Sequence, residues 1–533
     1  MRWITSAGLA LGLISLTTEP QVAAAQAAEQ VQSSALKAPD VWQLGQAGDA
    51  ALPATLWQNS NATVVGALMD KLKAPFPSPI ATRLARAAML TGGAPPAGSE
   101  VAAGEAARKR FAALGRFGAA DEIAAMSAVA TDAFTEPNML AFAAQADLAR
   151  GRASDACRRA QASQAGTAFV LTLRAYCVAA TRQQLATDVA LEVATGAGAK
   201  DPWLSPALGA VSGANAHGPA AKFDSSLNAA ISIAGKLKPA PSPFAKASLL
   251  AVDVVARDAD APEALRVTAA QIALRQFAID AGAARDAFAA SVAAKPGKIA
   301  AAAPAALLRA IAAATDSAGK AKAISAALAK TTSYTDFATM ARLAASDIAA
   351  LPHNASTAPY AATMTRASLA LGDVKGAVAW RDQAAQSAPQ SMIGPQRALD
   401  CAVIVAGGGN DAAARAAIER RIEFAGPAVA RDVALMEALG LPIPARASAL
   451  LAATAQPKTQ KPADPAILAD LTDSARRNAA GETAINAARA LSPGAHTLDR
   501  ASLVSVIQAL RAVKLEAFAR QVAVEAMVAG GVE

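Results

Sequence analysis

Apolar residues recur at three- and four-residue spacing along most of the chain. Val64, Val65, Leu68, Met69 and Leu72 form one such stripe, and Leu503, Val504, Ile507, Leu510 and Val513 another. A 3.6-residue period of this kind predicts one-sided α-helices of ordinary length. β-branched and aromatic residues seldom alternate with polar ones, so strands are not expected. Helix starts are legible at Ser78-Pro79 and Asp201-Pro202, where a capping side chain precedes a first-turn proline. Breaks rich in glycine and proline separate the segments, among them Gly92–Pro96, Ser212–Asn215, Pro239–Pro243, Gly407–Asn410 and Gly440–Pro444. The pattern predicts an all-α chain of many helical hairpins.

Composition strengthens that reading. Of 533 residues, 53% are hydrophobic but only 4% aromatic and 17% charged. Alanine is the commonest residue, in runs such as Ala300–Ala303 and Ala312–Ala314. Alanine loses no side-chain entropy in a helix and lets helices approach closely. Past the N-terminus no run of about 20 apolar residues lacks charge, so no membrane-spanning helix is expected in the mature chain. The net charge of +8 is scattered, without a basic block. Scattered charge with few aromatics argues against nucleic acid as a partner.

The first residues read as an address. Met1-Arg2 precedes an apolar stretch from Trp3 to Leu16, and the small residues Val22–Ala27 follow. This order of positive start, apolar core and small-residue exit is that of a secretory signal peptide. Cleavage is expected after Ala25 or Ala27, which sends the chain to a periplasm or out of the cell. The alternative is an uncleaved N-terminal anchor. Residues 1–25 are thus assigned to the signal peptide and 26–39 to a flexible segment.

Cysteine usage fits an oxidising compartment. Cys157 and Cys177 lie at similar distances on either side of Gln164-Ala165-Gly166-Thr167, which reads as a turn between two helices. In an antiparallel pair they reach similar height, and if they face each other they form a disulfide. Cys401 is left over and is expected to be buried.

Around Leu371 the chain reads Leu-Gly-Asp-Val-Lys-Gly-Ala-Val-Ala-Trp-Arg-Asp-Gln-Ala-Ala-Gln-Ser-Ala-Pro. This stretch resembles the second half of a tetratricopeptide repeat. In that resemblance Gly372 is the turn, Ala377 and Ala384 are the small residues where two helices cross, and Pro389 closes the repeat. Gly115 with Ala120, and Gly151 with Ala156, repeat the spacing of a turn glycine and an alanine five residues later. The two glycines are 36 positions apart, near the family period of about 34. Gly481 is read as a similar turn. The large residues usual in the family's first helix are replaced by Ala361 and Ser368. The resemblance implies an α-solenoid of antiparallel hairpins over 40–454, with residues 40–90 as one cap. A proline- and lysine-rich linker or loop then spans 455–465, and a helical block, capping repeats or a small separate module, spans 466–533.

No catalytic, cofactor or metal motif emerges. His217, His353 and His496 are far apart and lie near proline or glycine, and the cysteine spacings match no zinc pattern. Ser34–Lys37 and Ser317–Lys320 match a four-residue Ser-x-x-Lys pattern that is too short to carry weight. The expectation is a non-enzymatic periplasmic scaffold or adaptor that needs no cofactor and holds a protein or peptide. A peptidoglycan-associated accessory or regulator bound to cell-wall polymer, or a lytic enzyme carrying a solenoid, is one alternative. A helper of a pilus, flagellar or secretion machine is another.

Overall fold

The computed structural model describes residues 41–45, 52–215, 217–293, 303–387, 393–424 and 426–530. The expected cleavage sites Ala25 and Ala27, and the repeat-closing Pro389, lie outside the described residues. Among the described residues there are 27 α-helices and short 3-10 turns, but no β-strand; two isolated bridges pair Asn61 with Ala97 and Lys461 with Leu498.

The first run comprises α1 (Ala62–Asp70), α2 (Pro79–Leu90), α3 (Ser99–Arg116), α4 (Ala120–Val129), α5 (Pro137–Ala149), α6 (Ala153–Ala162), α7 (Ala168–Ala180), α8 (Gln184–Gly196) and α9 (Leu204–Ser212). From α3 on, each helix packs on the next, and α3, α5, α7 and α9 also touch one another in series. Then come α10 (Ser226–Ala234), α11 (Leu249–Arg257), α12 (Glu263–Arg275), α13 (Ala281–Ala293), α14 (Ala303–Ala313) and α15 (Ser317–Ala329). Here the path folds back, with α10 and α11 lying on α5.

The third run is α16 (Tyr334–Leu343), α17 (Ala345–Ala350), α18 (Ala361–Leu371), α19 (Val374–Ser387), α20 (Ile393–Val405), α21 (Asp411–Arg421), α22 (Pro427–Ala438) and α23 (Ala445–Ala453). The last comprises α24 (Pro465–Arg476), α25 (Ala480–Leu491), α26 (Arg500–Ala512) and α27 (Glu516–Ala529). These final helices pack on the first ones: α25 runs against α1 and α2, while α27 touches α2, α18, α20 and α22. The polar stretch before α24 is also held in place. Lys461 N donates to the Thr497 carbonyl at 3.0 Å, and Asp499 N donates to the Lys461 carbonyl at 2.8 Å.

One turn recurs through the molecule. Six hairpins (α3/α4, α5/α6, α7/α8, α18/α19, α24/α25 and α26/α27) turn on a residue in the left-handed region: Gly118, Gly151, Arg182, Gly372, Asn478 and Lys514, with φ between 52° and 77°. In each, the second helix begins two residues later. In five of them the intervening N–H reaches back to a carbonyl five residues earlier, as Asp373 N does to Ser368 O at 2.9 Å, and so satisfies an orphan acceptor of the helix end. Five residues beyond each turn stands a buried side chain: Ile123, Ala156, Thr187, Ala377, Thr483 and Ala519, none more than 2% exposed. Five of these six are Ala or Thr, which permits close helix approach at that point.

The turn geometry corrects two sequence assignments. Gly115 is not a turn residue but lies inside the last turn of α3, and Gly118 takes the left-handed conformation instead. The helix runs on to Arg116, and Phe117, which caps it, is fully buried. The residue five beyond the true turn is therefore Ile123, while Ala120 is the first residue of α4. Gly481 is likewise helical, inside α25; its neighbour Asn478 makes the turn. Gly481 is small for another reason. A Cβ there would stand 2.3 Å from the Trp57 ring.

That contact is part of the closure between chain ends. Gly481 N donates to the Leu56 carbonyl at 2.9 Å, and Asn59 Nδ2 donates to the Asn478 carbonyl at 3.1 Å. Trp57 and Trp42, both fully buried, meet edge to face at 5.9 Å. Arg110, also fully buried, holds the 41–45 segment by donating to the carbonyls of Val41 and Leu44 at 2.9 and 2.7 Å. It also donates to Met89 O at 2.7 Å.

Candidate functional site

Cys157 and Cys177 are joined in a disulfide between α6 and α7, with their Cα atoms 5.7 Å apart. The helices end at Ala162 and restart at Ala168, so the residues read as a turn do separate them. Cys401 is free and buried, and burial raises its thiol well above the ordinary range. Gly151 and Gly372 occupy left-handed turns; Ala156, Ala377 and Ala384 are buried on the helices that follow. The three histidines stay apart: His353 lies against Trp380 with ring centroids 4.2 Å apart, and His496 is half-buried, with burial and then Arg431 lowering its pKa. Among the described residues no group of three or more His, Cys, Asp or Glu could hold a metal ion, and no helix is long and apolar enough to cross a membrane.

The polar site that stands out was not singled out from the sequence. It is built on α2. Every residue of that helix is buried except Arg83. Neighbours cover α2 nearly all round, namely α3, α25 and α27, and they enclose its polar Thr82 and Arg86 as well as its apolar residues. Its start is fixed by Ser78, whose Oγ accepts from Ala81 N at 3.1 Å, followed by Pro79. The Ser78 hydroxyl donates to Glu525 Oε1 of α27 at 2.5 Å, and Ile80 N donates to Oε2 at 2.8 Å. Burial pushes the Glu525 carboxyl up to about 6, while these donors and Arg83 pull against the rise.

Arg83 projects into a recess. A cavity of about 410 Å³ lies between α2, α16, α18 and α27, lined by Ile80, Tyr334, Leu369, Leu371, Val374 and Val524 among others. A larger one of about 800 Å³ extends past α4 toward residues 43–45. The two share Arg83, Phe277, Arg342, Ala517 and Gln521 as walls. Arg342 lies over the Phe277 ring, with its guanidinium carbon 3.8 Å from the centroid, and donates to the Leu274 carbonyl. Burial, reinforced by the positive charges of Arg83 and Arg86, holds Arg342 down to about 10. Burial lowers Arg83 too. Both shifts come first from poor solvation of the guanidinium; Tyr334 and Glu525 oppose the one at Arg83, and Asp280 the one at Arg342.

The other charges around the recess already have partners. Arg86 donates to Phe117 O and to Glu122, both at 2.6 Å. Arg520 reaches Val405 O at 3.1 Å and Glu516 at 3.5 Å. Asp121 is bound by Arg150 and Arg257, each at 2.8 Å. Arg83 makes no hydrogen bond or ion pair among the described residues, although a guanidinium carries five N–H donors. Beside it, Gln521 Oε1 is buried without a hydrogen-bond partner. A Cβ on Gly372 would stand 3.9 Å from both terminal nitrogens of Arg83 and from Gln521 Nε2. The glycine read as a repeat turn thus also forms part of this rim.

Searches against family models, characterised proteins and solved structures return no match to this chain.

Proposed function

We propose that this protein is an exported helical-repeat binding protein of the tetratricopeptide-like kind, a scaffold or adaptor that holds a protein or peptide in the cell envelope. The observation that carries the reading is the recurring hairpin: a left-handed turn residue, a helix start two residues on, and a small buried residue at the fifth position in five of six cases. A chain that repeats one hairpin builds a long surface from a single packing rule, and such surfaces serve binding. Export is supported by the signal-like first 25 residues together with the disulfide.

Two measurements test the reading. Thiol labelling of the unreduced, denatured protein taken from cell fractions should modify Cys401 alone, and the protein should be found outside the cytoplasm. Labelling of all three cysteines, or retention in the cytosol, would remove the export argument. Cross-linking in intact cells should then recover one protein partner reproducibly. Release of muropeptides from peptidoglycan by the purified chain would replace the scaffold with an enzyme.

A further inference from the structure

We infer that the recess around Arg83 is a binding site for a carboxylate carried on an apolar chain. The inference rests on the reading of the molecule as a binding protein and names the chemistry its interior takes.

The charge balance of the recess limits the class of anion. Its smaller cavity is lined by Arg83, Arg342, Arg520 and one carboxylate, Glu525. Arg520 is offset by Glu516. Over both cavities Arg83, Arg86, Arg342 and Arg520 stand against Asp121, Glu122, Asp280 and Glu525, so no surplus of positive charge is present to meet a phosphate dianion. Donor geometry agrees. Arg83 offers a planar fork without a partner among the described residues, and such a fork matches the two oxygens of a carboxylate. Gln521, whose nitrogen lies by the same glycine as the fork, supplies a further polar group.

The rest of the wall sets the remainder of the ligand. Ile80, Phe277, Leu369, Leu371 and Val524 present carbon to the cavity. About 410 Å³ falls within the size range of small-molecule pockets, which are mostly apolar with a few convergent polar groups. A small hydrophilic acid would leave this wall without contacts, whereas an apolar chain covers it. A fatty acid and the C-terminus of an apolar peptide share this chemistry.

The test is calorimetric titration of the purified full chain with decanoate, decanol, N-acetyl-Val-Leu-Leu as free acid and as amide, and inorganic phosphate. Binding of decanoate or of the free-acid peptide, with decanol and the amide silent, is the expected result, and whichever acid binds identifies the source. Arg83→Gln should weaken that binding by about tenfold or more, since it removes the charge-assisted fork. Arg158→Gln, at an exposed site away from the recess, should leave it unchanged. If Arg83→Gln fails to fold, Leu371→Trp, which fills the cavity while keeping the charge, should abolish binding instead. Equal binding of acid and amide, preference for inorganic phosphate, or no binding by any probe would overturn the inference. Capture of a protein partner by Arg83→Gln as well as by the parent chain would leave the scaffold reading standing while the site fails.

Discussion

The closure between the chain ends and the arc formed by α5 to α8 are both helical, yet they are held together by different means. The closure buries large and polar side chains in one place: Trp42, Trp57, Arg110, Glu482 and Glu525 are all at most 3% exposed. The arc buries mostly small ones on its first two helices, while α7 adds Val170, Leu173 and Tyr176. Along α5 and α6 the interior is largely Ala143, Ala144, Ala146, Ala149, Ala156 and Ala160. On its last helix, Leu185, Val189 and Val193 face outward, 83, 62 and 53% exposed. Burial free energy scales with apolar area, so an alanine interface brings helices close while removing little surface from water. The arc carries the disulfide, a covalent tie where packing supplies less. The closure has no covalent tie and depends on packing and hydrogen bonds between residues more than 400 positions apart.

This contrast can be broken in four ways, taken from the largest effect to the smallest. Trp57→Ala should cost about 3–5 kcal/mol by urea denaturation, because the ring is enclosed between Trp42 and α25 and the site cannot collapse around the gap. A loss under about 1 kcal/mol would mean that the chain ends are not seated as described.

Replacing Cys157 and Cys177 by Ser should cost about 3 kcal/mol, the scale for freeing a loop of roughly 20 residues in the unfolded chain. Amide exchange should rise mainly in α6 to α8, as local opening, with protection around α2 kept. A uniform rise over both regions would erase the distinction between them.

The third prediction uses pH. Glu525 has a folded pKa of about 6, above the ordinary glutamate value, so the folded state holds its proton more tightly than the unfolded chain does. Its contribution to stability is therefore fully present below about pH 4.5 and is lost as pH rises through 6, a change of about 2 kcal/mol. Glu525→Gln should flatten that part of the stability curve. Thermal melts of both proteins at pH 4.5, 5.5 and 7 check it, and parallel curves would show that the carboxyl does not titrate in that window. The smallest effect is expected from Leu185→Ser on the arc. Nothing covers that side chain in the monomer, so stability should stay within about 0.5 kcal/mol.

How far the site was legible follows from which forces act locally. Gly372 and Gly151 could be read as turns because glycine adopts positive φ without steric cost. Arg182 and Lys514 make the same turn without a glycine, so a search for glycine passes over half of the hairpin series that includes them and Asn478. Gly115 and Gly481 misled for the converse reason, since a glycine can also mark a helix end without being the turn, or a seat for a distant ring. Arg83 gave no signal at all. In the sequence it is one arginine among many in a helix whose Ser78-Pro79 start was plain. Its character depends on what stands opposite it, and that comes from α16, α18 and α27.

The sequence by itself determined the helices, the capped start at Ser78-Pro79, the small residues at most hairpin crossings and the cysteine pair across a five-residue connection. All of these are decided by neighbours within about one hairpin, where propensity, capping and spacing suffice. At Asp201-Pro202 the chain makes a turn instead, and the helix begins at Leu204 without a side-chain cap. Only the tertiary structure decided that α25 lies on α2, that Gly481 exists to admit Trp57, and that one guanidinium of a buried helix is left facing a cavity. Those outcomes depend on side chains brought together from opposite ends of the chain, and no local pattern encodes which distant surface a helix will meet.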